Sequence, residues 1–233
     1  MRRIGLQTAG HTVRVTAMTP SPMPPDEFVD FYGQQRASAI LRTPHASAVG
    51  PAMDAAVRAG FRVCEFTLNT PDALAAIARL CETQPDVVVG AGTVLTCDDA
   101  RAAVQAGASF LVSPVVDEEV IECAHSLGVA VMPGTATPTE MLRAHRAGAQ
   151  LIKVFPAPIG PAAIKACLGP LPFLRLVPTS GVDLDNAGEY LTAGAHALGW
   201  VAPLFRPEWM ADGNFEAIEA QAKACLECCS ATT

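Results

Sequence analysis

The chain has 233 residues, half of them apolar and 17% charged, with a formal net charge of −7. It can bury a substantial core, which excludes a disordered polyelectrolyte and fits a compact, enzyme-like domain. The acidic balance comes without long charge runs, which argues against a nucleic-acid partner, and no apolar run reaches the length of a membrane span.

Residues 1–25 carry Arg2, Arg3 and Arg14, several threonines and no acid before Asp26. That composition fits a flexible leader, which is either a transit-peptide remnant with VTAM (15–18) at its processing site or a disordered bacterial leader. The compartment follows: plastid stroma in the first case, cytoplasm in the second. The folded part is expected over 26–233 as a single domain opening on a helix at 26–36.

From there one unit recurs, a helical pattern ending in glycine followed by a short apolar strand. Its junctions fall at Gly60, Gly107, Gly128, Gly148 and Gly194. Glycine at a helix end followed by a strand is the usual helix-to-strand connection. Strands are predicted at 38–42, 61–68, 87–94, 110–114, 129–134, 151–155, 175–179 and 196–201. Helix starts are predicted at Thr70-Pro71, Thr96 and Thr137-Pro138. Apolar strands alternating with helices indicate a parallel sheet buried on both faces. The fold class is α/β, a (β/α)8 TIM barrel with an extra N-terminal helix closing its floor. An open doubly wound sheet is the alternative, but no glycine-rich dinucleotide fingerprint follows the first strand. The terminal CLECC (225–229) continues a helical pattern, so its cysteines read as helix residues and not as metal ligands. Eight scattered cysteines fit free thiols in a reducing compartment.

In such a barrel chemistry belongs at the C-terminal strand ends. Arg42, Glu65, Thr67, Asn69, Thr93, Ser113, Lys153, Thr179 and Ser180 stand there. Lys153 is one of only three lysines, and it sits in the apolar run LIKVF. Alternation puts Leu151, Lys153 and Phe155 on one face, and Val63, Glu65 and Thr67 on one face of the second strand. Both ionisable groups can therefore point into the barrel. Burial favours the neutral amine, and an amine beside a carboxylate can form a Schiff base with a ketone. A structural Lys–Glu ion pair is the competing explanation.

Five stretches, GAGTVLT (90–96), SP (113–114), MPGTATPTE (132–140), IKVFPA (152–157) and VPTSGVDLDN (177–186), resemble in order and spacing the 2-keto-3-deoxy-6-phosphogluconate (KDPG) and KHG aldolases. The likeness covers roughly residues 36–225. It implies a class I aldolase of the Entner-Doudoroff pathway that needs no metal or other cofactor, works as a homotrimer, and releases pyruvate and glyceraldehyde 3-phosphate. On the same resemblance Lys153 is the Schiff-base lysine and Glu65 the general acid/base. Thr93 and Pro114 line the pyruvate pocket, Phe155 packs beside the lysine, and Arg42 meets the substrate's polar groups. Thr67, Asn69, Thr179, Ser180 and Gly181 complete the substrate-binding set.

The chain departs from that family after its seventh strand, where Ser180-Gly181 replaces a glycine pair. It departs again after the eighth, where Val201, Ala202 and Pro203 replace Gly-Ser and a residue bearing an N–H. Asn69 resembles the phosphogalactonate branch. The alternatives are therefore an aldolase or decarboxylase acting on a phosphogalactonate, 4-hydroxy-2-oxoglutarate or oxaloacetate, and a non-catalytic binding barrel.

Overall fold

A computed structural model describes residues 22–156 and 160–230. Eight parallel strands form one sheet in the order β7-β6-β5-β4-β3-β2-β1-β8. They are β1 (Ala37–Leu41), β2 (Val63–Thr67), β3 (Val88–Gly92), β4 (Phe110–Ser113), β5 (Ala130–Thr135), β6 (Ile152–Val154), β7 (Leu176–Pro178) and β8 (Leu198–Trp200). The seam between β7 and β8 is closed by the His196 N–H, which donates to the Leu176 carbonyl at 2.8 Å. The helices are α1 (Pro25–Gln35), α2 (Val49–Ala59), α3 (Ala73–Thr83), α4 (Cys97–Gln105), α5 (Glu118–Ser126), α6 (Pro138–Arg146), α7 (Gly160–Leu168), α8 (Ala187–Thr192), α9 (Pro207–Asp212) and α10 (Phe215–Ser230). This is the (β/α)8 barrel with an N-terminal helix that the repeat predicts. The predicted leader lies largely outside the described residues.

Local chemistry explains most boundaries. Thr96 and Asp99 form a reciprocal capping box at α4, and Thr137 and Glu140 do the same at α6. All five junction glycines have positive φ, from 72° to 124°, where a side chain would be strained. One predicted start is corrected. Helix α3 begins at Ala73 with no side-chain cap, and the Thr70 hydroxyl is used elsewhere, 3.0 Å from that of Thr67. The strands are shorter than predicted by one or two residues at most ends, at floor and rim alike, while β1 starts one residue earlier and β5 ends one residue later.

Alternation along the strands sorts the core into two clusters. The outward residues, such as Leu41, Phe66, Ile152 and Val154, pack against the helices. The inward cluster joins Val63, Val88, Phe110, Val112, Ala130, Met132, Leu151, Val177 and Ala197 to Phe28, Val29 and Tyr32 of α1. Helix α1 therefore plugs the N-terminal mouth. Phe28 stacks on Phe110 with ring centroids 4.5 Å apart, and Gly90 makes room for that ring because a Cβ there would collide with it. Each such aromatic contributes about 2–3 kcal/mol of burial. With the floor filled, the polar inward residues are left at the C-terminal end.

Candidate active site

At that end a cavity of about 450 Å³ opens between the rim loops. Arg42, Thr67, Asn69, Thr93, Pro114, Lys153, Phe155, Thr179, Ser180 and Gly181 all line it, so every substrate-binding residue expected from the sequence converges there. Larger grooves of about 640 and 630 Å³ lie against the outer helices, away from the strand ends.

Lys153 is central in β6, in register with Gly134 on one side and Val177 on the other. Its backbone is clamped from β5: the Thr135 hydroxyl donates to the Lys153 carbonyl at 3.1 Å, and the Phe155 N–H donates to the Thr135 carbonyl at 3.0 Å. Phe155 lies just past the strand end, and its ring centroid is 5.3 Å from Nζ. The Lys153 side chain is 10% exposed and lines the cavity.

Glu65 lies beneath the cavity floor and is fully buried. Its Oε1 is 3.8 Å from Lys153 Nζ, within ion-pair range but too long for a hydrogen bond. Both carboxylate oxygens lack a hydrogen-bond partner among the described residues. Burial pushes the Glu65 carboxyl above the ordinary carboxylate range, and the charges of Lys153 and Arg42 oppose the rise. Gly92 makes this position attainable, since a Cβ there would collide with Glu65 Oε1.

The remaining groups shape the walls. The Thr67 hydroxyl donates to the Leu41 carbonyl at 3.3 Å, and that of Thr179 donates to the Val154 carbonyl at 3.4 Å. Both hydroxyls are tied down, and a Cβ at Gly199 would collide with the Thr179 methyl group. Ser113 turns its hydroxyl to the Val115 carbonyl and is absent from the cavity lining. Gly134 allows the Pro114 backbone to approach, because a Cβ would strike the Pro114 carbonyl. Thr93 holds φ at 61°, a left-handed conformation that a β-branched residue adopts only under constraint.

Ile40, Val182 and Asp183 also line the cavity and were missed in the sequence reading. Ile40 shares the inward face with Arg42, so strand parity could have found it. Asp183 sits in a loop, where no period marks the facing side. Gly92 and Thr135 act through Glu65 and Lys153, and only the paired strands reveal them.

Residues 33–221 match the family model described as KDPG and KHG aldolase. The chain is 43% identical over 143 residues to the 2-dehydro-3-deoxy-phosphogluconate aldolase of Pseudomonas aeruginosa, a match covering 60% of this chain and 65% of that enzyme. It is 36% identical over 172 residues to a probable 2-dehydro-3-deoxy-6-phosphogalactonate aldolase of Rhizobium meliloti, covering 72% and 81%. Its structure is similar to that of the KDPG aldolase of Legionella pneumophila with pyruvate captured as a covalent carbinolamine. The TM-score is 0.75 at 27% identity, covering 84% of this chain and 97% of the other.

Proposed function

The chain belongs to the KDPG and KHG aldolase family, and on that premise we propose that it is a lyase releasing pyruvate from a 2-keto-3-deoxy-4-hydroxy acid through an imine on Lys153. The observation that carries this is the Lys153–Glu65 pair. A buried carboxylate without a hydrogen bond, 3.8 Å from a buried ammonium, is a poor structural ion pair. It makes sense as machinery that completes its bonds only when substrate enters.

That pair can support the following steps. The neutral Lys153 amine adds to the C2 carbonyl, giving a carbinolamine, and loss of water leaves an iminium. Glu65, acting through a water, takes the C4 hydroxyl proton. The C3–C4 electron pair then moves toward the iminium, releasing the aldehyde and leaving an enamine on Lys153. Protonation at C3 by Glu65 and hydrolysis of the resulting iminium free pyruvate and return the amine. A carboxyl raised by burial holds its proton more tightly than an exposed one and can both accept and return it. The iminium is the electron sink, so the scheme calls for no metal or other cofactor.

Thr93, Pro114 and Phe155 would hold the pyruvyl part beside Lys153, and Arg42 would meet an anionic group of the substrate. The names of the relatives favour 2-dehydro-3-deoxy-6-phosphogluconate, yielding pyruvate and glyceraldehyde 3-phosphate. The 6-phosphogalactonate epimer is the second reading, favoured by Asn69 at the cavity wall and by the Rhizobium relative. Coupling pyruvate release to lactate dehydrogenase, with each phosphorylated acid, 4-hydroxy-2-oxoglutarate and oxaloacetate in turn, tests the proposal. Chelator-insensitive turnover of at least one is expected, whereas binding without turnover would indicate a non-catalytic barrel.

Thr93 supplies a second check. Replacement by glycine should remove about 1–3 kcal/mol of backbone strain and add about 0.4–1 kcal/mol of unfolded-state entropy. Thr93→Gly should therefore melt no lower than the wild type while binding pyruvate about tenfold more weakly for want of the hydroxyl. Melting curves and inhibition by pyruvate measure the two.

We also assign a homotrimer, by the family resemblance, for which sedimentation should give three times the chain mass. The bacterial relatives favour a cytoplasmic location. The plastid alternative rests on the leader, most of it outside the described residues. No helix among the described residues is long and apolar enough to cross a membrane.

A further inference from the structure

Resting on the aldolase reading above, in which Arg42 meets an anionic group of the substrate, we infer that Thr70 is a positioning residue that acts through Arg42. Thr70 does not line the cavity. Its work is to fix the backbone from which Arg42 reaches into it.

A chain of hydrogen bonds leaves the backbone on one side of Arg42 and returns to it on the other. The Thr43 N–H donates to the Thr70 hydroxyl oxygen at 3.4 Å, and that hydroxyl lies 3.0 Å from the hydroxyl of Thr67. The Thr67 hydroxyl in turn donates to the Leu41 carbonyl at 3.3 Å. With the Thr67 proton committed to Leu41, the Thr70 proton goes to Thr67, and each donor has one acceptor. The Thr70 hydroxyl also comes within 3.5 Å of the Leu41 carbonyl, a second use of the same proton that ends on the same residue.

The local sequence brings these groups together. Strand β2 ends at Thr67, and the Thr70 N–H donates to the Thr67 carbonyl at 2.8 Å, folding TLNT into a tight turn. Asp72 then takes a left-handed φ of 54° ahead of α3, so the Thr70 hydroxyl is left at the end of β1 and caps no helix. Leu41, Thr43, Thr67 and Thr70 are all buried. Removing the Thr70 hydroxyl therefore leaves the Thr43 N–H unpaired, and the chain at Arg42 must shift to find another acceptor.

Arg42 is exposed, just beyond β1. Continuing the pairing of Ala39 with Trp200 by three residues sets it beside Pro203, and continuing that of Leu41 with Phe66 by one sets it beside Thr67. It thus stands between the β2 turn and the loop after β8, with both in the cavity wall. A long exposed side chain loses rotamer freedom when it is ordered on a substrate, and its reach depends on where its backbone is held. A displacement of about 1 Å is enough to spoil a charge-assisted hydrogen bond. Buried hydroxyls can also serve stability alone; the two roles differ in whether the loss depends on Arg42.

The test measures pyruvate release from 2-dehydro-3-deoxy-6-phosphogluconate, with a melting curve for each protein, in the wild type, Thr70→Val, Thr70→Ser, Arg42→Met and the double variant. Valine keeps nearly the same shape and removes the hydroxyl. Thr70→Val should raise KM about five- to tenfold with kcat within about twofold of the wild type. Thr70→Ser, which keeps the hydroxyl, should restore KM to within about twofold. Arg42→Met should raise KM about 10- to 100-fold, and adding Thr70→Val to it should change KM by less than about twofold. Should Thr70→Val fold poorly, Thr70→Ala gives the same comparison. A folded Thr70→Val with the wild-type KM overturns the inference, as does an equal rise in KM with and without Arg42. A fall in kcat with KM unchanged overturns it too. Failure of the underlying reading looks different: the wild type releases no pyruvate, or Arg42→Met alone keeps the wild-type KM, and the inference falls with it.

Discussion

Lys153→Met should lower kcat by about 10⁴-fold or more while leaving the barrel folded. Methionine fills nearly the same volume and its sulfur can rest near the Phe155 ring, so the inward face of β6 stays packed. What disappears is the only nucleophilic amine among the described residues lining the cavity, since Lys165 and Lys223 lie on outer helices. Losing the ammonium also removes the largest influence holding the Glu65 carboxyl down, so that group should retain its proton to higher pH. The measurement is steady-state pyruvate release beside a far-ultraviolet spectrum and a melting curve. Turnover within about tenfold of the wild type would show that Lys153 is only half of a structural ion pair.

Glu65→Gln separates carbon–carbon bond cleavage from imine formation and carries a definite pH signature. The amide preserves shape but cannot move a proton, so kcat should fall about 10²- to 10⁴-fold. In the wild type the Glu65 pKa is raised above its ordinary value of 4.5, so the folded state holds a proton that the unfolded state has released. That contribution to stability is complete below about pH 4.5 and is lost as pH rises through the folded-state value. Glutamine does not titrate there. The melting temperature of Glu65→Gln should therefore gain on that of the wild type as pH rises from 5 to 8. A constant difference across that range would mean that Glu65 is not a raised carboxyl, and unchanged kcat would mean that it is not the proton carrier.

Much of this site was legible from two regularities. The glycine junctions counted out the units, and the two-residue period of buried strands placed Lys153 and Glu65 on inward faces before any strand pairing was known. Burial did the rest, because charged residues inside LIKVF and RVCEF demand partners, and a barrel can supply them. What escaped lies beyond the period. Phe155 reads as strand, yet β6 ends at Val154 as the chain turns into the rim. Thr70 reads as a helix cap, but its hydroxyl meets Thr67 because α3 starts later. Gly92 shows its purpose only against the Glu65 carboxylate it makes room for, and Asp183 only once its loop is folded around Asn186. Val201, Ala202 and Pro203 were visible as residue types, but their place in one cavity with Ser180 and Gly181 required the closed barrel.

The central claim is that Lys153 forms an imine with pyruvate, and borohydride trapping tests it most directly. Protein incubated with pyruvate and reduced should gain one pyruvyl group per chain, and peptide mapping should place it on Lys153 alone. Glu65→Gln should still be labelled, more slowly, and Lys153→Met should not. No adduct in the wild type, or an adduct spread over Lys165 and Lys223, would contradict the account and return the lysine of LIKVF to a structural role.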